Sequence, residues 1–543
     1  MPELGDALFL LSHYRWRGSG SGIIKLTAAG AAREWNHPGV EWRCPLVLSS
    51  AVTGSGFRPS RGAVEAICNP STRVCMQGYF DLSISVALSQ TTTPGLQHEL
   101  QSLCYPLGST LDGSNNQSFR RFIRRCHIAF EAINGSETPI LQLTLPYVLG
   151  WPTILHGMLA LSINPSKRTS REFNYHQAAL TELRTEIGKI YNGILDTATV
   201  HKTLCTSFLL AMFSLADCDG CWAQHVRGMV SIIRMADWNS LQSSKLGTFL
   251  VSACAHQDIS AFGVGRLQSS KRCWLAWMSH KVSGTEDVLS AFEIMVGYPE
   301  SLIDIIARVA EAAEDETTFV LQGQQYEEEI SLSRPGTLSS CIEAQSRYAL
   351  TALFLGIAAH EHNREELEES LASWTAPPLP SHLPDVAKLI LPVAWETIRH
   401  AAFIYLWRAQ GFHSNVLEPF RPDRKRKRDL YVRQIISNTR MIMRLAVTQR
   451  VSVGNAMLWP LTVAGCECGD DSMKCHQPEI MDLLHSLHGL FSMDHTARVK
   501  ELLQRLWERQ MSEVVNQSSI AGHPKVLSLE RMARERQLTV PLL

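Results

Sequence analysis

The chain has 543 residues, of which 45% are hydrophobic and 19% are charged, the proportions of a globular protein. Its 51 basic and 52 acidic residues leave a net charge of −1, which excludes a strong overall attraction to nucleic acid or to an anionic membrane. The 14 cysteines lie mostly in apolar segments, and such a long chain with so few of them is not a disulfide framework. We therefore expect the protein to reside in a reducing compartment.

The N-terminus lacks the pattern of a secretory signal. Its one apolar run, Ala7 to Leu11, follows Glu3 and Asp6, where a signal would carry positive charge. The longest apolar stretches span about a dozen residues, short of the roughly 20 that cross a bilayer. We expect a soluble, intracellular protein with no membrane contact.

Residues 1–117 differ in composition from the rest of the chain. They are rich in glycine, serine, threonine and proline and show no sustained hydrophobic period. The run Gly18 to Gly22 misses the glycine spacing of nucleotide-binding loops and is typical of a flexible linker. We predict an irregular or disordered N-terminal segment.

Residues 118–511 show a helical period throughout and no convincing alternating strand. Leu204 to Ala216 is apolar nearly all round, which predicts a central buried helix, and the apolar stripe from Trp222 to Ile233 predicts an antiparallel partner. The fold class is therefore predicted to be all-α, a large array of antiparallel helical hairpins, with 512–543 as a loosely attached tail. Further helices are predicted at 140–149, 152–163, 173–194, 245–262, 286–296, 299–316, 337–360 and 386–410, with a last helical block at 430–506.

Three groups of cysteines have spacings that invite comparison with metal or redox sites. Cys218 and Cys221 form a CxxC, but in a helical hairpin rather than at a strand-to-helix turn. The six-residue gap from Cys68 to Cys75 occurs in fungal binuclear zinc clusters, yet the CxxC arms that such clusters need are absent. The third group, Cys466, Cys468, Cys475 and His476, does not match a structural zinc spacing.

No metal site, cofactor site or catalytic residue is therefore predicted. The sequence has no GxSxG, no P-loop, no dinucleotide fingerprint and no HExxH, so enzymatic activity has no positive support.

The strongest charge run is Arg424, Lys425, Arg426, Lys427 and Arg428. Five consecutive cations repel one another, which favours a role as a nuclear localisation patch or an anion-binding patch. The alternative is a solvated loop between helices.

Several strings, in their order, resemble the fungal-specific transcription factor domain family. The most specific is Leu458 to Glu467, which reads WPL-x-x-AGCE from Trp459 onward. The resemblance spans roughly Ser118 to Gln510, and its other pieces are Phe119–Arg125, Leu141–Leu161, Tyr175–Leu180, Phe208–Leu215, Trp222–Gly228 and the helix Val499–Arg509 with Trp507 near its end.

The resemblance implies an all-helical regulatory region in the nucleus that governs transcription of metabolic or biosynthetic genes. In most relatives such a region follows a binuclear zinc cluster, but no zinc ligand of the family maps onto this sequence. Zinc and direct DNA binding are therefore expected only with a cluster upstream. The alternative is a helical adaptor or scaffold that lacks DNA binding and acts through protein contacts.

The partners implied are the transcription machinery or a DNA-binding protein, a second copy of the chain, and a small-molecule effector. An effector would need a cavity between helices, whereas core packing is the alternative role for large aromatic residues. The tryptophans considered for lining such a cavity are Trp151, Trp222, Trp238, Trp407 and Trp459.

Overall fold

The computed structural model of the protein describes residues 113–542 with internal gaps. The segment 1–112, with Cys68 and Cys75, lies outside the described residues, as does the helix predicted at 337–360. The gaps are 130–131, 133–138, 149, 164–166, 218–220, 267–268, 282–288, 315–361, 382, 410–421, 450–451, 470–471, 492–494 and 517–528.

Helices make up 83% of these residues, in 18 segments, with almost no strand. The predicted all-α class is thereby confirmed. The first ten helices are α1 (Gly113–Ala129), α2 (Pro139–Val148), α3 (Pro152–Ala160), α4 (Ser170–Tyr191), α5 (Thr197–Asp217), α6 (Trp222–Met235), α7 (Trp238–Gln242), α8 (Lys245–Asp258), α9 (Cys273–His280) and α10 (Ala291–Val296). The others are α11 (300–314), α12 (362–373), α13 (Asp385–Ala409), α14 (Pro422–Gln449), α15 (Leu458–Glu467), α16 (Gln477–Phe491), α17 (His495–Asn516) and α18 (Leu529–Glu535).

Helix α5 is the centre of the first half of the fold. Its side chains from Thr203 to Ala211 are all buried, as a helix that is apolar on every side requires. It packs against α3, α4, α6 and α8. The predicted pairing of α5 with α6 is observed.

Local sequence signals explain where several helices begin and end. Thr169 and Glu172 form a capping box at the start of α4, and Ser290 and Glu293 form one at the start of α10. Gly297 follows the last residue of α10 and has a φ of 86°, a left-handed conformation that glycine adopts without strain.

The second half of the fold surrounds α15. This short helix packs against α13, α14, α16 and α17, and every residue from Leu458 to Cys466 is buried. The α13–α14 pair is the most extensive helix contact of this half.

The end of the chain is packed rather than loose, which corrects part of the predicted tail. Helix α17 continues to Asn516, and after the gap Leu529, Met532 and Leu542 are buried. Two short strands, β1 (Gly263–Val264) and β2 (Val540–Pro541), pair in antiparallel fashion. An apolar face on a short helix and one strand pair hold this segment against the core.

Two described helices are apolar and long enough to pass a length-and-composition test for membrane spans, Thr197–Leu215 and Asp385–Arg408. In the fold, 78% of the first and 61% of the second are buried inside the protein. Core helices of a folded domain pass the same test.

Candidate functional site

The string that carries the resemblance most strongly, Leu458 to Glu467, forms the buried helix α15. Thr462 within it satisfies its hydroxyl by donating to the carbonyl of Leu458 at 2.8 Å, so the helix presents few unpaired polar groups to the core. The helix lies at the meeting point of four others. Its position explains why nearly every residue in the string is apolar or small.

Gly465 allows α17 to approach α15 closely. A Cβ atom at this position would lie 2.8 Å from Cδ1 of Leu503, closer than carbon atoms pack. The carbonyl of Gly465 accepts a hydrogen bond from Nε1 of Trp507 at 2.9 Å. Two strings recognised separately in the sequence are therefore in direct contact.

Glu467, the last residue of α15, forms ion pairs with two arginines. Its carboxylate lies 3.7 Å from Nε of Arg408 on α13 and 3.2 Å from Nη1 of Arg428 on α14. The side chain of Glu467 is only 10% exposed. Cys466 lies beside Arg408, and burial raises the pKa of its thiol to about 12, so it is present as the neutral thiol.

A buried aromatic cluster connects α8 to α15. Nε2 of His256 and the hydroxyl of Tyr298 are hydrogen-bonded at 2.7 Å. The rings of Phe262 and Phe292 contact the imidazole, and Phe262 packs edge-on against Trp459 with ring centroids 5.3 Å apart. Burial lowers the pKa of His256 to about 3, so the imidazole is neutral near pH 7.

The chain around the end of α8 is held by a buried acid. The carboxylate of Asp258 accepts hydrogen bonds from the Ser270 hydroxyl at 3.0 Å and from the backbone amides of Lys271 and Cys273 at 2.9 and 3.2 Å. Burial raises the pKa of Asp258, and the nearby Arg266 opposes this shift.

Arg266 itself fastens the last turn of α8. It donates to the backbone carbonyls of Asp258 and Gln257 at 2.7 and 2.9 Å, and its guanidinium lies over the ring of Trp222. Sequence reasoning missed both Asp258 and Arg266. The available signal was an acid at the end of the largely apolar helix α8, where a buried charge needs partners.

The basic run Arg424 to Arg428 lies in the first turns of α14, so the alternative of a loop between helices is wrong. Arg424 pairs with Glu368 of α12 at 3.0 Å, and Arg428 pairs with Glu467. Arg426 and Lys427 are exposed. Arg424 and Arg428 therefore serve the packing of α14, and the role of the run in nuclear import remains a prediction.

The cysteines considered as metal ligands take up ordinary positions. Cys221 is partly buried, and Cys218, the other cysteine of the CxxC, lies outside the described residues. In the third group, the thiol of Cys468 donates to the carbonyl of Ala464 at 3.4 Å. Cys475 is exposed. Across the described ranges, no group of three or more histidine, cysteine or acidic residues is placed to hold a metal ion.

The tryptophans considered for an effector cavity each pack against their own partners. Trp222 and Trp459 approach the same segment, through Gly263 and Phe262. The other three are distributed over the fold: Trp151 stacks on Tyr147, Trp238 on Trp277 and Trp407 on Tyr431.

Comparison with known proteins agrees with this geometry. None of the curated proteins and none of the solved structures matches the chain significantly. The family described as "Fungal specific transcription factor domain" matches residues 120–519, well over half of the chain and nearly all of the helical array. The chain therefore belongs to the fungal-specific transcription factor domain family.

Proposed function

We propose that this protein is a nuclear regulator of transcription that acts through its helical domain, without catalysis, on metabolic or biosynthetic genes. The observation that carries the proposal is the family match over residues 120–519, which covers both halves of the helical array. The contacts around α15 support it, because they join the separately recognised strings into one folded unit.

Nuclear entry is assigned to the exposed part of the basic run. Arg426 and Lys427 point to solvent at the start of α14, whereas Arg424 and Arg428 have carboxylate partners within the fold. An import receptor that reads a cluster of cations needs side chains that it can reach. Arg426 and Lys427 meet that condition.

The first experiment is to follow the full chain, fluorescently tagged, in a fungal host. We expect nuclear fluorescence that the double variant Arg426→Ala/Lys427→Ala reduces. The control is Arg121→Ala/Lys245→Ala, which removes two exposed cations from α1 and α8. Equal nuclear fluorescence in both variants would remove the assignment of these two residues.

The second experiment measures transcription. Deleting the gene should change transcript levels of a limited set of genes, and chromatin immunoprecipitation should find the protein at their promoters. Loss of that occupancy after removal of a separate DNA-binding protein would identify the chain as an adaptor. An unchanged transcriptome together with no occupancy would contradict the proposed function.

A further inference from the structure

Helix α14 carries a concentrated positive charge in a chain that is nearly neutral. The 28 residues of Pro422–Gln449 contain eight arginines or lysines and two aspartates, while the whole chain has a net charge of −1. The buried side of the helix, with Val432, Ile435 and Ile436, faces its neighbours in the core. Five of the eight cations are exposed, so most of the charge lies on the other side.

Four arginines form one stripe along the exposed side of α14. They follow one another at intervals of seven, seven and four residues, which the 3.6-residue period places on the same face. Leu430 and Met441 lie within the stripe and are 51% and 39% exposed. This surface, the basic face of α14, consists of Arg426, Leu430, Arg433, Arg440, Met441 and Arg444.

The arginines of this stripe have few acidic neighbours. Among the residues that the structure describes, Arg440 alone of the four has a carboxylate partner, Glu479, and its side chain remains 45% exposed. Burial lowers the pKa of His476, and the positive charges of Arg433 and Arg440 lower it further. The positive potential of the stripe is therefore largely uncompensated.

Helix α17 offers a contrast within the same protein. Arg498 and Arg505 both pair with Glu501, at 3.5 and 3.2 Å, and Arg509 pairs with Glu535 at 2.8 Å. Each of these three arginines has a carboxylate partner within the same fold. The basic face of α14 lacks this compensation, which points to an anion supplied by another molecule.

We propose that the basic face of α14 binds an acidic amphipathic helix of a partner protein. Carboxylates of the partner would pair with the arginines, and its apolar residues would cover Leu430 and Met441. The stripe from Arg426 to Arg444 is about 27 Å long, the length of a helix of about 18 residues. This inference stands on the geometry of α14 and does not depend on the proposed function.

Charge alone would also suit the phosphates of nucleic acid, but the composition of the face favours a protein. Phosphate contacts are made by cations and polar groups. In a complex with nucleic acid, Leu430 and Met441 would face charged phosphate oxygens and would have no apolar surface to pack against. An amphipathic acidic helix satisfies both kinds of residue at once.

The test is a binding titration of the full chain with a fluorescently labelled peptide of about 18 residues, built from glutamate on one helical face and leucine on the adjoining face. We expect binding that weakens as salt rises. The double variant Arg433→Glu/Arg444→Glu should bind about tenfold more weakly. The matched control is Arg121→Glu/Lys245→Glu, which reverses the same number of exposed cations elsewhere and should lose less than about twofold.

A second pair of measurements tests whether apolar residues contribute to binding, first in the chain and then in the peptide. Leu430→Ser/Met441→Ser, which keeps every charge, should weaken binding of the peptide, and a peptide with serine in place of leucine should bind less tightly to the parent chain. Circular dichroism melts check that each variant is folded.

Three outcomes would overturn the proposal: equal losses in the α14 and control variants, no effect of the two serine substitutions, or binding of duplex DNA through the basic face without binding of the peptide.

Discussion

The indole nitrogen of Trp507 in α17 donates a hydrogen bond to the carbonyl oxygen of Gly465 in α15 at 2.9 Å, where the absence of a Cβ lets the two helices touch. One residue lacks a side chain and the other has the largest. Together they set the distance between α15 and α17. Substitutions at the two positions should therefore act on the same interface.

We expect Gly465→Ala to destabilise the protein by about 1–3 kcal/mol, because the new methyl group meets Leu503 in a packed core. Gly489→Ala is the matched control. That glycine also lies inside a helix, and a Cβ there meets nothing within 4 Å, so alanine should stabilise by up to about 1 kcal/mol. Urea unfolding of both variants checks the prediction, and equal effects would contradict it.

Glu467→Gln should cost about 3 kcal/mol of folding free energy, since it leaves Arg408 and Arg428 without their carboxylate in a largely buried position. The triple change Arg408→Met/Arg428→Met/Glu467→Leu should recover most of that loss, because Glu467 and both of its arginine partners are replaced together. Thermal melts of the three proteins measure both effects. Should the single change leave the melting temperature unaltered, the ion pairs contribute nothing to the fold.

The buried histidines should make the protein sensitive to mild acid. The folded pKa of His256 is about 3, against 6.5 for an unperturbed histidine, so in the range between these values the unfolded chain binds a proton that the folded chain does not. Stability is therefore expected to fall as the pH drops from about 7 toward 4. Burial also lowers the pKa of His176, His225 and His400, which contribute in the same direction.

Comparing the parent chain with His256→Phe isolates this one group. The variant loses the bond to Tyr298, but its free energy of unfolding should change less with pH, by up to about 1.4 kcal/mol per pH unit between pH 4 and 6. Chemical unfolding at several pH values gives both slopes. Parallel curves would mean that His256 does not titrate on unfolding.

The C-terminal segment should be required for stability. Leu542 is buried, and its backbone amide donates to the carbonyl of Phe262 at 2.9 Å. Leu542→Asp should cost about 3 kcal/mol or more, since it buries a charge without a partner. Gln537→Gly, in the preceding turn, is the control: this residue has a φ of 55°, which glycine adopts more readily, so the change should be neutral or stabilising. Proteolytic susceptibility distinguishes the two results.

The sequence predicted the elements of the fold better than it predicted their contacts. The pair α5 and α6 could be recognised because an all-round apolar segment and a clear stripe each identify a helix locally. The partners of Asp258 could not be recognised, because its hydrogen bonds depend on where the chain returns after α8. Glu467 belonged to a recognised string, but its pairing with Arg408 and Arg428 joins residues on three different helices.

The error at the chain end has a different origin. Leu529, Met532 and Ala533 are spaced three and one apart, which is the start of an apolar helical face. However, α18 has only seven residues, and its other four are charged. A period needs more turns than that to be distinguished from chance. Only the surface that receives the segment, around Phe262 and Val264, shows that it is part of the core.

The pairing of β1 with β2 also bears on how the protein is made. Gly263 and Val264 leave the ribosome long before their partners Val540 and Pro541. Throughout that interval the place that these residues will occupy, beside Phe262, stays unfilled, so this part of the core is completed only after the chain has been synthesised past Leu542. A chain cut short by its last fifteen residues would keep α1 to α17 and still lack α18 and β2, which close this part of the core.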